Sequence, residues 1–164
     1  MRTRRLGAWW RHVVSSKCGM PVGMADDFPT LRQTVLDTTD ARRLAEFYRE
    51  LLGLAYRPGD EPPAAGEDDA LGRDWLVLRN PGGGQLAFQQ VDSFPRSTWP
   101  DPGVPQQLHL DFTVPSREIL ERVHARALGL GARMLRDDAD DPEEPIYVYA
   151  DPDGHPFCVF VAQT

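Results

Sequence analysis

His109 and Asp111 stand two residues apart in Leu108–Val114 (LHLDFTV), where apolar and polar residues alternate strictly. A period of two places both side chains on one face of a strand. An imidazole titrates near neutrality and can give or take a proton. A carboxylate beside it can orient it, or can pair with an arginine instead. The plainer role for His109 is a hydrogen bond to Gln33, Asp111 or water. Cys158 lies in another alternating stretch, with no lysine or base beside it in the sequence, so a buried, inert thiol is expected. Gln89 and Phe160 share strand parity with Ala87 and Cys158, and add an amide and an aromatic face suited to a small-molecule pocket. His124 is expected on a helix flank at or near the surface, and His155 in a turn, capping or facing solvent. No GxGxxG, P-loop, GxSxG or HExxH pattern is present.

The elements that position these residues occur twice. Gln33–Leu54 aligns without a gap on His109–Leu130 at an offset of 76 residues, and Arg79–Val91 on Ala150–Ala162 at an offset of 71. Such a repeat sets the fold. Arg32–Thr38 reads as a strand. Thr39 or Asp40 caps a helix with Leu44, Phe47, Leu51 and Leu52 on one face, ended by Gly53. Leu54–Tyr56 is a candidate short strand. Arg57–Asp74, rich in Pro, Gly and acid, reads as a mobile surface loop. Trp75–Arg79 and Gly84–Gln90 are strands around the turn residues Asn80–Gly83.

The second copy follows the same plan. The strand Leu108–Val114 leads to Ser116, which caps a helix whose apolar face is Ile119, Leu120, Val123 and Ala127, with Gly129 after its end. Ala132–Leu135 is a candidate short strand, and 137–145 an acidic loop. Ile146–Ala150 and Pro156–Val161 flank the turn 151–154. Trp75, Tyr147 and Tyr149 are expected to pack in the core. Each half reads βαβββ. The fold class is therefore α+β: two tandem units forming a curved, incompletely closed mixed sheet, barrel-like around a cleft, with helices outside. Unit one spans 31–92, a linker 93–106, and unit two 107–162, all within a domain at 28–164.

At 164 residues, with 41% hydrophobic and 26% charged residues, the chain suits one globular domain. No apolar run approaches the ~20 residues that a membrane helix needs. The net charge of −7 conceals a basic segment at 1–25 with five positive residues and no acid; the rest carries 13 basic against 25 acidic residues. An acidic body disfavours nucleic acid as a partner. Residues 1–27 read as a disordered basic tail or an over-extended start, with Met20 or Met24 as the initiator; a docked helix and an export signal are the weaker readings. Two cysteines, Cys18 and Cys158, form no CxxC and suggest no disulfide framework. A reducing cytoplasmic setting is the simplest expectation.

The paired βαβββ units, the segment from Ala45 through Phe47-Tyr48-Arg49-Glu50 to Leu52-Gly53-Leu54, and the turn Asp151–Phe157 (DPDGHPF) resemble the vicinal oxygen chelate superfamily. That is the group of glyoxalase I, bleomycin-resistance proteins and extradiol dioxygenases. The resemblance covers about Leu31–Ala162. It implies a cleft that, in metal-dependent members, holds a divalent ion on ligands from the first and last strands of each unit. Those positions fall here on Gln33, Ala87, His109 and Cys158. Ala87 coordinates nothing, and Cys158 replaces a carboxylate, so no metal and no other cofactor is expected. A divalent metal held by His109 with Gln33 and Cys158 is the alternative.

The resemblance implies a glyoxalase-like protein that binds a small organic molecule, with no catalytic residue assigned. Its cleft is lined by Gln33, Val35, Ala87, Gln89, His109, Asp111, Cys158 and Phe160. A metal-dependent lyase or isomerase of the glyoxalase I kind is the second reading, and an extradiol-type dioxygenase the third. The family often dimerises, so a homodimer is compatible with it.

Overall fold

Two capped helices and eight strands build the repeat. The computed structural model describes residues 29–162; the readings of residues 1–27 lie outside it. The elements are β1 (Gln33–Thr38), α1 (Ala41–Leu52), β2 (Ala55–Tyr56), β3 (Trp75–Arg79), β4 (Gln85–Gln90), β5 (Leu110–Val114), α2 (Arg117–Gly129), β6 (Arg133–Asp138), β7 (Ile146–Ala150) and β8 (Pro156–Val161). They form two four-stranded sheets, ordered β1-β4-β3-β2 and β5-β8-β7-β6. In each, the first strand runs parallel to the last and the remaining pairings are antiparallel. This is the duplicated α+β architecture that the repeat predicts.

The helices begin where short polar side chains can serve the free amides of the first turn. Asp40 accepts from the Arg43 N–H at 3.0 Å, and Ser116 from the Ile119 N–H at 3.3 Å. α1 ends at Gly53, whose φ of 67° is left-handed. α2 differs from expectation. It runs through Gly129, and the left-handed residue is Gly131, at φ 98°. In GLG either glycine can supply the stop, and the helix takes the later one.

One core serves both sheets. Leu36, Phe88, Leu76 and Leu78 from the first sheet and Phe157, Val159, Tyr147 and Tyr149 from the second are buried in one apolar cluster with α1. Tyr48 of α1 joins them. Its ring lies 5.8 Å from Phe88, 6.3 Å from Phe157 and 6.5 Å from Phe112. Aromatic pairs at this spacing add to plain area burial. Tyr147 and Tyr149 pack in the core as expected. Trp75 lies in register with Gln89 and is only half-buried, so it belongs to the opposite face.

The segment 57–74 is pinned rather than free-standing. Asp60 is buried; its carboxylate accepts from the Val77 N–H at 2.8 Å and from Arg57 at 2.9 Å. Arg42 of α1 bonds Asp69 at 2.8 and 3.1 Å and the Asp60 carbonyl at 2.8 Å, and lies over the Tyr56 ring. Composition marks this stretch as loop, but two carboxylates inside it reach fixed partners. β5 starts at Leu110, leaving Leu108 and His109 just outside it, and β6 extends to Asp138.

Candidate functional site on the helix-free sheet faces

Alternation settles which side chains turn away from the helices. In the first sheet, Val35 lies beside Ala87, which lies beside Val77; Asp37, Gln89 and Trp75 form the next row. Gln33 pairs with Gln85. In the second sheet one row runs Asp111–Cys158–Val148–Arg136, and the next runs Thr113–Phe160–Ile146–Asp138. All eight candidate residues therefore lie on, or for His109 directly before, the strand positions expected of them.

The second sheet gathers its candidates most tightly. His109, Asp111 and Cys158 bring their donor atoms within 4.8 Å of one another. His109 Nε2 is 3.4 Å from Asp111 Oδ1, with the two side chains 41% and 36% exposed. That spacing is an ion pair when the ring is charged, and long for a hydrogen bond. The Cys158 thiol is pushed up to about 12, by burial first and then by the charge and hydrogen bond of Asp111 and the charge of Glu144, against a smaller opposing effect from Arg136. It is therefore a protonated donor toward Asp111 and a poor nucleophile at neutral pH, as its sequence context suggests. Arg136 and Glu144 are neighbours the sequence did not nominate. Simple register does not find Arg136, because an irregularity between Met134 and Arg136 shifts β6 against β7 and sets Arg136, not Leu135, opposite Val148.

The first sheet contributes shape and amides. Ala87 is fully buried, Val35 is 37% exposed, Gln89 is exposed and Gln33 half-buried. Phe160 is half-buried beside Thr113 and Ile146. Two surface depressions lie elsewhere. One, of about 390 Å³, lies between α1, the turn after α2 and Pro152; the other, of about 510 Å³, lies among Arg136, Asp137, Asp138, Asp140 and Asp141. Neither is lined by the eight candidates.

The metal positions of the superfamily do not fit a divalent ion here. A zinc site normally takes three or more protein donors, and Ala87 presents a methyl group on the strand where one is required. Gln33 and Cys158 offer a neutral amide and a protonated thiol.

Two of the four histidines lie elsewhere in the fold. His124 is half-buried on α2, as expected; its Nδ1 shares a hydrogen bond with the Tyr149 hydroxyl at 2.8 Å, and its ring stacks on Tyr147 at 4.2 Å. His155 departs from expectation. It neither caps nor faces solvent, but bonds Asp151 at 2.8 Å and stacks on Phe94 at 5.3 Å. The linker brings Phe94 to it, which turn chemistry alone does not show.

The duplicated βαβββ fold with this helix-free face defines a glyoxalase-like protein. The chain belongs to the glyoxalase-like domain family, whose model matches residues 33–160, and so to the vicinal oxygen chelate superfamily. Solved structures agree. A glyoxalase/bleomycin resistance protein/dioxygenase family enzyme from Burkholderia phytofirmans superposes with a TM-score of 0.62 at 15% identity, over 82% of this chain and 100% of that one. A glyoxalase/dioxygenase from Nostoc punctiforme gives 0.58 at 18% identity, over 92% and 100%. The fosfomycin resistance protein FosX from Mesorhizobium loti gives 0.57 at 14% identity, over 83% and 94%. At these identities the likeness is one of fold. No curated protein matches the sequence. Among the described residues no helix is long and apolar enough to cross a membrane.

Proposed function

We propose that this chain binds a small organic molecule on the helix-free faces of its two sheets, without the metal set of the metal-dependent members. The observation that carries this reading is the substitution of a buried methyl, Ala87, for a donor, on a face that still presents polar and aromatic groups. Gln33, Gln89, His109 and Asp111 supply hydrogen-bonding groups that fix orientation, while Val35 and Phe160 supply apolar contact. Cys158 stays a neutral thiol and donates to Asp111. The bleomycin-resistance type of use, in which the fold sequesters a ligand, is the functional model for this reading. Thermal-shift screening of a small-molecule library against wild type and His109→Ala tests the reading. Ligands that stabilise the wild type and lose their effect in His109→Ala support it; ligands that act equally on both refute it.

A second reading rests on the convergence of His109, Asp111 and Cys158 within 4.8 Å. Imidazole, carboxylate and sulfur together suit a borderline-soft divalent ion, with all donors drawn from one unit. Elemental analysis of chain purified without a metal-binding tag separates the two. One zinc-class ion per chain, lost in His109→Ala, establishes the second reading; none after supplementation removes it.

A further inference from the structure

The turn between β7 and β8 opens with Asp151, which is buried. One carboxylate oxygen accepts from the backbone N–H groups of Asp153, Gly154 and His155 at 2.9, 2.8 and 3.0 Å. The other accepts from the Tyr48 hydroxyl of α1 at 3.0 Å and lies 2.8 Å from His155 Nδ1. The His155 ring also donates to the backbone carbonyl of Asp37 in β1, and its face stacks on Phe94 of the linker, 13° from parallel. One imidazole therefore touches three segments that are far apart in the chain. The next acid, Asp153, is buried and is matched by Thr38 of β1 and Arg43 of α1, with Arg96 of the linker at 3.7 Å. In the first repeat the matching turn is closed locally, by the Asn80 side chain on the Gly82 N–H and the Asn80 carbonyl on the Gly83 N–H.

We propose that His155 is a pH-responsive latch that fastens the second repeat's turn and the linker to the first repeat. A charged ring has two N–H groups for its two acceptors, Asp151 and the Asp37 carbonyl. A neutral ring has one, so a lone pair then faces one of those acceptors. The surroundings favour the charged form. Arg43 pairs with Asp153 and, at 3.7 Å, with Asp40, and Arg96 lies 3.7 Å from Asp153, while the charge on Asp151 faces the Tyr48 hydroxyl, three backbone amides and His155. Burial alone would lower the imidazole pKa; the hydrogen bond and charge of Asp151, with smaller help from Asp153 and the Asp37 carbonyl, more than offset it, so the net shift is upward from 6.5. A raised folded-state pKa means that the stabilisation is complete below 6.5 and is lost as pH rises through the folded value. The latch is closed in mild acid and loosens toward alkaline pH.

Hydrogen exchange read by NMR tests this, with the His155 ring titrated in the same sample. The amides of Asp153, Gly154 and His155 report the latch, and those of β3 and β4 serve as an internal control. The expected result is a His155 midpoint above 6.5, with protection of the turn amides falling through that midpoint relative to the control strands. His155→Gln, which keeps a donor but does not titrate, removes the pH dependence; if that variant fails to fold, the wild-type comparison stands by itself. A midpoint at or below 6.5, or turn amides that track the control strands at every pH, overturns the proposal.

Discussion

Asp111 is the residue on which the candidate face turns, because it touches both of its chemically distinct neighbours. It lies 3.4 Å from His109 and helps hold Cys158 protonated. Asp111→Asn removes the charge while keeping the shape, so the thiol pKa should fall from about 12. In a Cys18→Ser background, alkylation of Cys158 by iodoacetamide at mildly alkaline pH should become faster. An unchanged rate would mean that burial alone controls the thiol. Tyr48 invites a second test. Its hydroxyl is one of two side-chain donors to a buried Asp151 oxygen, while its ring packs on Phe88. Tyr48→Phe keeps the ring and should cost about 1–3 kcal/mol in denaturant unfolding, the usual range for leaving a buried acceptor under-served. At this scale the sequence was partly legible. Strand parity placed His109, Asp111, Cys158 and Phe160 on one face, because a period of two has only two faces to choose from. It could not show that Asp151 meets Tyr48, since the two are 103 residues apart and no local pattern encodes the contact.

The segment 57–74 shows how far an element can depart from its composition. Pro, Gly and acidic residues announce a loop, yet Asp60 and Asp69 tie it to β3 and α1. Arg42→Ala removes a bidentate partner and a cation over an aromatic ring. It should speed cleavage by limited proteolysis between residues 61 and 70, with the strands left intact; wild-type resistance would show that Asp60 is the sufficient anchor. Asp60→Ala acts on β3 itself by leaving the Val77 N–H without its acceptor, a loss again of about 1–3 kcal/mol. Helix starts were readable to within a residue because caps are local: Ser116 is the cap that the sequence named, and Asp40 one of the two it offered for α1. Ends were less so. Gly129 and Gly131 both allow a stop, and it is Gly131 that turns left-handed, with the Gly131 and Ala132 N–H groups closing on the Leu128 and Ala127 carbonyls at 3.0 and 2.9 Å. β5 starts late because a strand is defined by its pairing partner, and β8 pairs from Leu110 onward.

Across the described residues, duplication makes the fold and asymmetry distinguishes the candidate site. The same βαβββ plan produces two sheets of identical strand order, joined through α1 and one aromatic core. The repeat was visible in the sequence because both copies keep their caps, apolar spacing and turn residues. The two copies have diverged on their helix-free faces. The first offers Val35, Ala87 and Gln89; the second offers an imidazole, a carboxylate and a thiol. A protein-observed NMR screen of small organic fragments, run with EDTA present, tests the binding account most directly. Binding without metal predicts hits that shift the amides of Val35, Gln89, Asp111 and Phe160 while EDTA is present. Hits that map away from both helix-free faces, or binding there that appears only when a divalent ion is restored, would contradict it.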